Sequence, residues 1–355
     1  MTQSTVTSKS KRDGTTMFHN NKITRRTVVT ALVSAALIGI VGCAPANDGS
    51  TATGEARVNY QLGWLKLTQF GGFFAADVEG FYADEGIAAE FTAGGSNILS
   101  WQQVATGKAL LGDEDNTNAL VAIEDGQELV ILGTVFQTSP FSIISLAEDP
   151  IESVEDFKGR TIAVSDASLA QFEAISKSAG LSEGDVTFVS AGTDPSQLTT
   201  KQVSGYAGYA TSQGASLELQ GVKTHALLLE DLGVPSYGNV IITTRDNLEK
   251  NRNTIVGFMR ASIKGFEYMN ANPEEIAGLV VNKVNPAGGL DLATETETAK
   301  IQKDLIESPD GVLSVDVTKM QAIIDALVEA GTLKDTLNAA DFVDTSVLED
   351  AQSGT

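Results

Sequence analysis

The chain has 355 residues, 24 of them Lys or Arg and 46 Asp or Glu, for a formal net charge of −22. So acidic a surface repels nucleic acid and anionic lipid, which excludes a nucleic-acid binder and attachment to membrane through a basic patch. A single cysteine, Cys43, excludes an internal disulfide, so stability rests on a core that a chain of this length usually builds as two units.

Residues 1–42 read as a signal peptide. Lys9, Lys11, Arg12, Lys22, Arg25 and Arg26 make a basic start, and residues 28–42 an apolar run too short to span a bilayer comfortably. Arg25-Arg26 after Thr24 is compatible with twin-arginine export, and general secretion stays open. The run ends Ile40-Val41-Gly42-Cys43, which resembles a lipobox, so Cys43 is the expected lipidation site and mature N-terminus. Residues 1–42 hold 6 basic and 1 acidic residue, which leaves 18 and 45 and a charge of −27. Residues 43–56 then supply the lipidated cysteine and a small, polar, flexible tether.

Residues 60–87 predict a short strand, an aromatic loop at Trp64 and a helix whose Phe70, Phe73, Phe74, Val78 and Phe81 follow helical spacing. Trp64, Gln69 and Phe70, delivered just ahead of a helix N-terminus, put an aromatic face beside free backbone N–H groups. Phe73, Phe74 and Phe81 read as core. A strand at 88–93 leads into Gly94-Gly95-Ser96-Asn97, where the glycines allow close backbone approach and Ser96 or Asn97 caps a following helix. Gly95, Ser96 and Asn97 therefore join the candidates. A strand at 108–112 is expected to end just before Asp113, Glu114, Asp115 and Asn116, with a helix at 118–124 beyond. That is where open parallel sheets place ligands; equally, Asp115 or Asn116 caps the helix and the other carboxylates are solvated. Metal binding fits poorly, because adjacent carboxylates diverge and no histidine accompanies them.

A strongly apolar strand at 129–137 ends in Gln137-Thr138-Ser139-Pro140 and is followed at once by another at 141–146, which predicts a crossing into a second unit at 140–147. Gln137 and Ser139 are candidates at this crossing. The βα rhythm then repeats: strand 161–165, helix 167–177, strand 186–190, a helix opened by Asp194-Pro195, and strand 205–210. Asp166 and Ser168 occupy a strand-to-helix turn and either bind a ligand or cap the helix. Tyr206 and Tyr209 point to opposite faces of their strand, which leaves Tyr209 to face a cleft. His225 reads as a packed residue in the strand 225–229, and residues 237–242, with Tyr237, as the return crossing. From Asn253 onward the chain is mostly helical, with apolar stripes that read as core faces.

Several of these segments stand in a telling order. W-x-x-x-x-Q-F-x-G-F-F-x-A-x-x-x-G-F-Y-x-x-E-G-I from Trp64 to Ile87 is followed by GGSN at 94–97, VATGKALLGDED at 104–115, DFKGRTIAVS at 156–165, EDLGVPSYGN at 230–239 and YMNANPEEIA at 268–277. Over residues 58–284 the chain resembles the substrate-binding proteins of ABC importers, in the branch that handles sulfonates, nitrate, riboflavin and the thiamine pyrimidine precursor. The resemblance implies an α/β fold, the two-lobe periplasmic-binding-protein fold (type II) with the ligand cleft between lobes. Lobe 1 is expected at 57–139 plus 245–355 and lobe 2 at 140–244. It also implies closure on a small-molecule ligand and service to an ABC permease and its ATPase; a monomer is expected, the leader and the lipid on Cys43 place it on the outer face of the cell membrane, and the acidic charge leaves no nucleic acid among its partners. No G-x-x-x-x-G-K-[ST], H-E-x-x-H, C-x-x-C or G-x-S-x-G occurs, and the cysteine-rich segment of fungal enzymes that make the thiamine pyrimidine on this fold has no counterpart. The expectation is a binder, not an enzyme, with no cofactor and no metal. The candidate loops GGSN, GDEDN, QTSP, SDAS and ATSQ contain no basic residue, whereas Asp113, Glu114 and Asp115 are acidic. That suits a small aromatic nitrogen heterocycle, a thiamine pyrimidine precursor or flavin-like molecule, stacked on Trp64 with Tyr209 or Tyr237 as second wall. A sulfonate, nitrate or other small anion held by helix N-termini is the alternative.

Overall fold

The structure, a computed structural model, describes residues 54–95, 98–165, 168–191 and 195–354. Residues 1–42, expected to be a signal peptide, the expected lipidation site Cys43 and the candidates Ser96, Asn97 and Asp166 lie outside the described residues. The chain first makes β1 (Ala56–Gln61), a 3-10 turn (Thr68–Phe70), α1 (Gly71–Val78), α2 (Phe81–Asp84), β2 (Ile87–Thr92), α3 (Ser100–Ala105), β3 (Leu111–Asp115), α4 (Asn116–Glu124) and β4 (Leu129–Thr134). It then crosses to β5 (Phe141–Leu146), β6 (Thr161–Val164), α5 (Leu169–Ser178), β7 (Thr187–Ser190), α6 (Ser196–Thr199), β8 (Gly205–Tyr209), a π-helical turn (Ala210–Gly214), α7 (Ala215–Leu219) and β9 (Thr224–Leu228). It returns through β10 (Asn239–Thr244) and closes with α8 (Arg245–Ala271), α9 (Pro273–Leu279), α10 (Leu292–Ile306), α11 (Val317–Glu329) and α12 (Ser346–Ser353).

The two five-stranded sheets share one plan. Their orders are β2-β1-β3-β10-β4 and β7-β6-β8-β5-β9. In each, three parallel strands come first, and the strand that enters from the other sheet, β10 or β5, lies fourth and antiparallel. Two crossings, at 135–140 and 229–238, join the sheets and are hydrogen-bonded side by side: Ser139 N–H donates to Ser236 O at 3.3 Å and Gly238 N–H to Phe136 O at 3.1 Å.

Two boundaries differ from the sequence reading. The second segment was expected to run to 244, yet β10 belongs to the first sheet, because Val240, Ile241 and Ile242 are buried there between β3 and β4. The acidic trio was expected to follow its strand, yet β3 runs through Asp115, because β10 pairs with Asp113, Glu114 and Asp115 and supplies the ladder their own β-propensity would not favour.

The core of the first unit explains the opening aromatics. Phe70, Phe73 and Phe74 are buried with Tyr60 and Phe258; Tyr60 and Phe73 ring centroids lie 4.7 Å apart, and Phe73 meets Phe266 edge-on at 5.0 Å. α1 lies against α8 almost backbone to backbone. A Cβ on Gly265 would come within 2.1 Å of Gly72 O, so this crossing requires glycine.

Candidate functional site

A cavity of about 580 Å³ opens between the two sheets. The first sheet supplies Gly63, Trp64, Gly95, Glu114, Asp115 and Asn239; the second supplies Phe141, Ser165, Tyr206 and Tyr209; α10 adds Thr294, Glu295 and Thr298. The volume is that of a small-molecule site.

Its first wall is the loop after β1. Apolar residues normally turn away from water, yet Trp64 is 39% exposed, and Leu65, Ile98 and Leu99 are open as well. Trp64, Ile98 and Leu99 line the cavity. The loop is fixed from beneath: Gly63 N–H donates to Asp113 Oδ2 at 3.1 Å, and Asn239 Nδ2 donates to the same oxygen at 2.6 Å. A Cβ on Gly63 would stand 2.7 Å from that oxygen, which is why glycine precedes the tryptophan. From the side, Gly94 N–H donates to Trp64 O at 2.8 Å. α10 grips the turn that follows, with Glu295 Oε2 accepting Thr68 N–H at 3.1 Å and Gln302 Nε2 donating to Thr68 O at 3.0 Å.

The opposite wall is the end of β8. Tyr209 is 37% exposed and its ring meets Phe141, also in the lining, at 5.9 Å. Tyr206 is buried but still reaches the cavity. Protein atoms crowded around the cleft-facing Tyr209 phenol, and then the Asp115 charge, push it up to about 12, and the tyrosine and the carboxylate line the same cavity from different sheets. α10 touches the second unit too: Thr298 Oγ1 donates to Thr211 O at 2.6 Å.

The three consecutive carboxylates do different work because each meets a different set of hydrogen-bond donors. Asp113 is fully buried and clamps the Trp64 loop to β10; burial pushes its carboxyl up to about 7 against the hydrogen bonds from Asn239 and Gly63. Asp113 Oδ1 and the Tyr60 hydroxyl, both buried, close no hydrogen bond of normal geometry, although the phenol is near enough to help hold Asp113 acidic. Glu114 lines the cavity but is nearly saturated, accepting from Trp101 N–H at 3.2 Å, Asp115 N–H at 3.0 Å, Asn118 Nδ2 at 3.4 Å and Ser100 Oγ at 3.3 Å. Asp115 caps α4 through Oδ1, which accepts Thr117 and Asn118 N–H. It is open to the cavity while protein atoms crowd around it, and that crowding raises its pKa. Thus the capping reading and the ligand reading of Asp115 are compatible.

Of the residues singled out in sequence, Trp64, Gln69, Gly95, Glu114, Asp115 and Tyr209 meet in this cavity. Phe70 and Asn116 are buried outside it. Ser168 shares a 2.9 Å hydrogen bond with Ser165, which is in the lining. Gln137, Ser139 and Tyr237 are crossing residues: Gln137 bonds to Thr134 and Ser314, Ser139 Oγ accepts Phe141 N–H, and the Tyr237 hydroxyl accepts Asp316 N–H at 2.9 Å. Tyr237 is buried and not part of the cavity wall, because the helices after β10 cover it, with Lys319 Nζ 5.0 Å from its ring centre. Sequence reading passed over Glu295, Thr294 and Thr298. The available signal is the seven-residue spacing of Glu295 and Gln302, which puts both on one helix face; the structure buries both.

Among the described residues, the lining contains Glu114, Asp115 and Glu295 and no Lys, Arg or His. Lys66, the basic residue nearest Trp64 in sequence, is not in it. Among the described residues no three His, Cys, Asp or Glu side chains converge as a metal site would need.

The family model described as NMT1/THI5 like matches residues 67–276, more than half of the chain. The chain belongs to the NMT1/THI5-like family. Among curated proteins of similar sequence, a riboflavin-binding protein, RibY, of Chloroflexus aurantiacus is 26% identical over 68% of this chain and 70% of its own length. A formylaminopyrimidine-binding protein of Halalkalibacterium halodurans is 23% identical over 78% of this chain and 86% of its own. Among solved structures, the periplasmic aliphatic sulphonate binding protein SsuA of Escherichia coli superposes with a TM-score of 0.63 at 16% identity, covering 81% of this chain and 96% of that one. The desulfurization enzyme DSZB does so with 0.58 at 12%, covering 84% and 99%. The NMT1/THI5-like chain therefore has the two-lobe periplasmic-binding-protein fold, and at these identities the solved structures speak for the fold alone.

Proposed function

We propose that this protein is the extracytoplasmic solute-binding lipoprotein of an ABC importer. It captures a small aromatic nitrogen heterocycle between its two lobes by hinge closure and delivers it to the permease and its ATPase. The observation that carries this reading is the pair of open aromatic side chains, Trp64 and Tyr209, that face one cavity from two different sheets. A flat ring between them removes apolar surface from water on both faces, while the carboxylates offer acceptors to ring N–H or amino groups. The riboflavin- and formylaminopyrimidine-binding names of two relatives point the same way. A sulfonate or nitrate ligand would be favoured by a basic donor, and the described lining has none. An enzyme is disfavoured because no cysteine or histidine stands beside Ser165 in the described lining. Export and outward anchoring rest on the leader and the lipobox-like Cys43.

A thermal-shift panel followed by product analysis tests the class of function. A heterocycle at 100 times its Kd should stabilise the protein by about 2.7 kcal/mol and be recovered unchanged. Chemical turnover of the recovered compound would overturn the binder reading.

A further inference from the structure

We propose that the cavity takes its heterocycle as a cation, and that Asp115 and Glu295 are the residues that read the positive charge. The inference rests on the reading of this cavity as the ligand site and adds the ligand's charge, which neither the fold nor the relatives specify.

Among the described residues, three carboxylates line the cavity and no side-chain cation pairs with them. None of the ion pairs among the described residues involves Glu114, Asp115 or Glu295. The stretches outside the described residues that adjoin lining residues in sequence, 96–97, 166–167 and 192–194, contain no Lys, Arg or His. A buried carboxylate without a cation or a full set of donors is costly, and proteins normally pair it.

The three differ in what they have left to give. Glu114 already accepts four hydrogen bonds and is committed to the α3 and α4 N-termini. Asp115 uses Oδ1 as helix cap and makes no hydrogen bond through Oδ2 to any described residue. Glu295 is only 8% exposed and is held by the one bond from Thr68 N–H to Oε2, with Oε1 making none to a described residue. One carboxylate oxygen on each of two elements, β3 and α10, is thus available in the same cavity. The aromatic walls are consistent with the same charge, because indole is the best cation–π partner among side chains and Tyr209 adds a second ring. An anion in this space would meet three like charges and no donor that carries compensating charge.

The test compares two probes with the same ring. 5-(Aminomethyl)pyrimidine is an ammonium ion at pH 7, and 5-(hydroxymethyl)pyrimidine is neutral; both are titrated into the purified protein by calorimetry, with methanesulfonate as the anionic arm. The ammonium compound should bind at least about tenfold more tightly, as expected for hydrogen bonds to a charged group. Its affinity should fall with added salt while that of the neutral compound does not. In Glu295→Gln the preference should drop below about threefold, since glutamine keeps a carbonyl for Thr68 N–H but loses the charge. Asp115→Asn, a substitution that preserves helix capping, should reduce it as well and guards against a folding defect in the first variant. Equal or tighter binding of the neutral pyrimidine, or a preference that survives both substitutions, overturns the charge inference and leaves the heterocycle reading standing. Binding of methanesulfonate with neither pyrimidine bound overturns the heterocycle reading and the inference together.

Discussion

Replacing Asp113 with asparagine tests the clamp beneath the tryptophan loop. Asp113 is fully buried and its Oδ2 accepts from both Gly63 N–H and Asn239 Nδ2. Burial raises its pKa from 3.8 to about 7, against those two hydrogen bonds. A folded-state pKa above the unfolded one means that the native protein holds the extra proton between these values. The group's contribution to stability is therefore largest below about pH 4 and is lost as pH rises through 7. A shift of about three units corresponds to roughly 4 kcal/mol at 1.36 kcal/mol per unit. The asparagine side chain does not titrate and retains a carbonyl acceptor. The stability of the native sequence minus that of Asp113→Asn should then fall by roughly 4 kcal/mol between pH 4 and pH 8. Urea unfolding of both proteins across that range measures the double difference, in which every other titrating group cancels. Parallel curves, within about 1 kcal/mol at all pH values, would refute the account of Asp113 as a buried, proton-holding clamp.

Further outcomes concern the wall, the core and the anchor. Trp64→Ala should cost clearly less in urea unfolding than the about 3–5 kcal/mol of a core tryptophan, since the side chain is 39% exposed, yet weaken heterocycle binding at least about tenfold; unchanged affinity would remove Trp64 from the site. Gly265→Ala should cost about 1–3 kcal/mol or more in denaturant titration, because the new methyl meets Gly72 O; a neutral effect would contradict the close packing of α1 on α8. Cys43→Ala should move the protein from the membrane fraction to the soluble exported fraction, and persistent membrane retention would refute lipid anchoring.

The parts of the fold that were legible in sequence are those with local signals. Strand and helix periodicity and the aromatic spacing after Trp64 are patterns that repeat within a few residues. The illegible parts depend on partners far along the chain. The trio reads as loop because carboxylates disfavour strands, and only β10, more than 120 residues later, makes Asp113–Asp115 a strand. Tyr237 and Gln137 look like cleft residues because they flank crossings, but Asp316 and Ser314, 79 and 177 residues away, turn them toward the C-terminal helices. α10 attracts little notice as a Thr- and Glu-rich helix, and its role emerges only when Glu295 and Gln302 close on Thr68.

The central claim, a two-lobe binder for an aromatic nitrogen heterocycle, is tested most directly by titration calorimetry of the purified protein with riboflavin, an aminopyrimidine, methanesulfonate and nitrate side by side. The account predicts micromolar or tighter binding of a heterocycle, with a negative heat-capacity change from ring burial, and no measurable heat from either anion. Tight binding of methanesulfonate or nitrate, with none of the heterocycles bound, would contradict it.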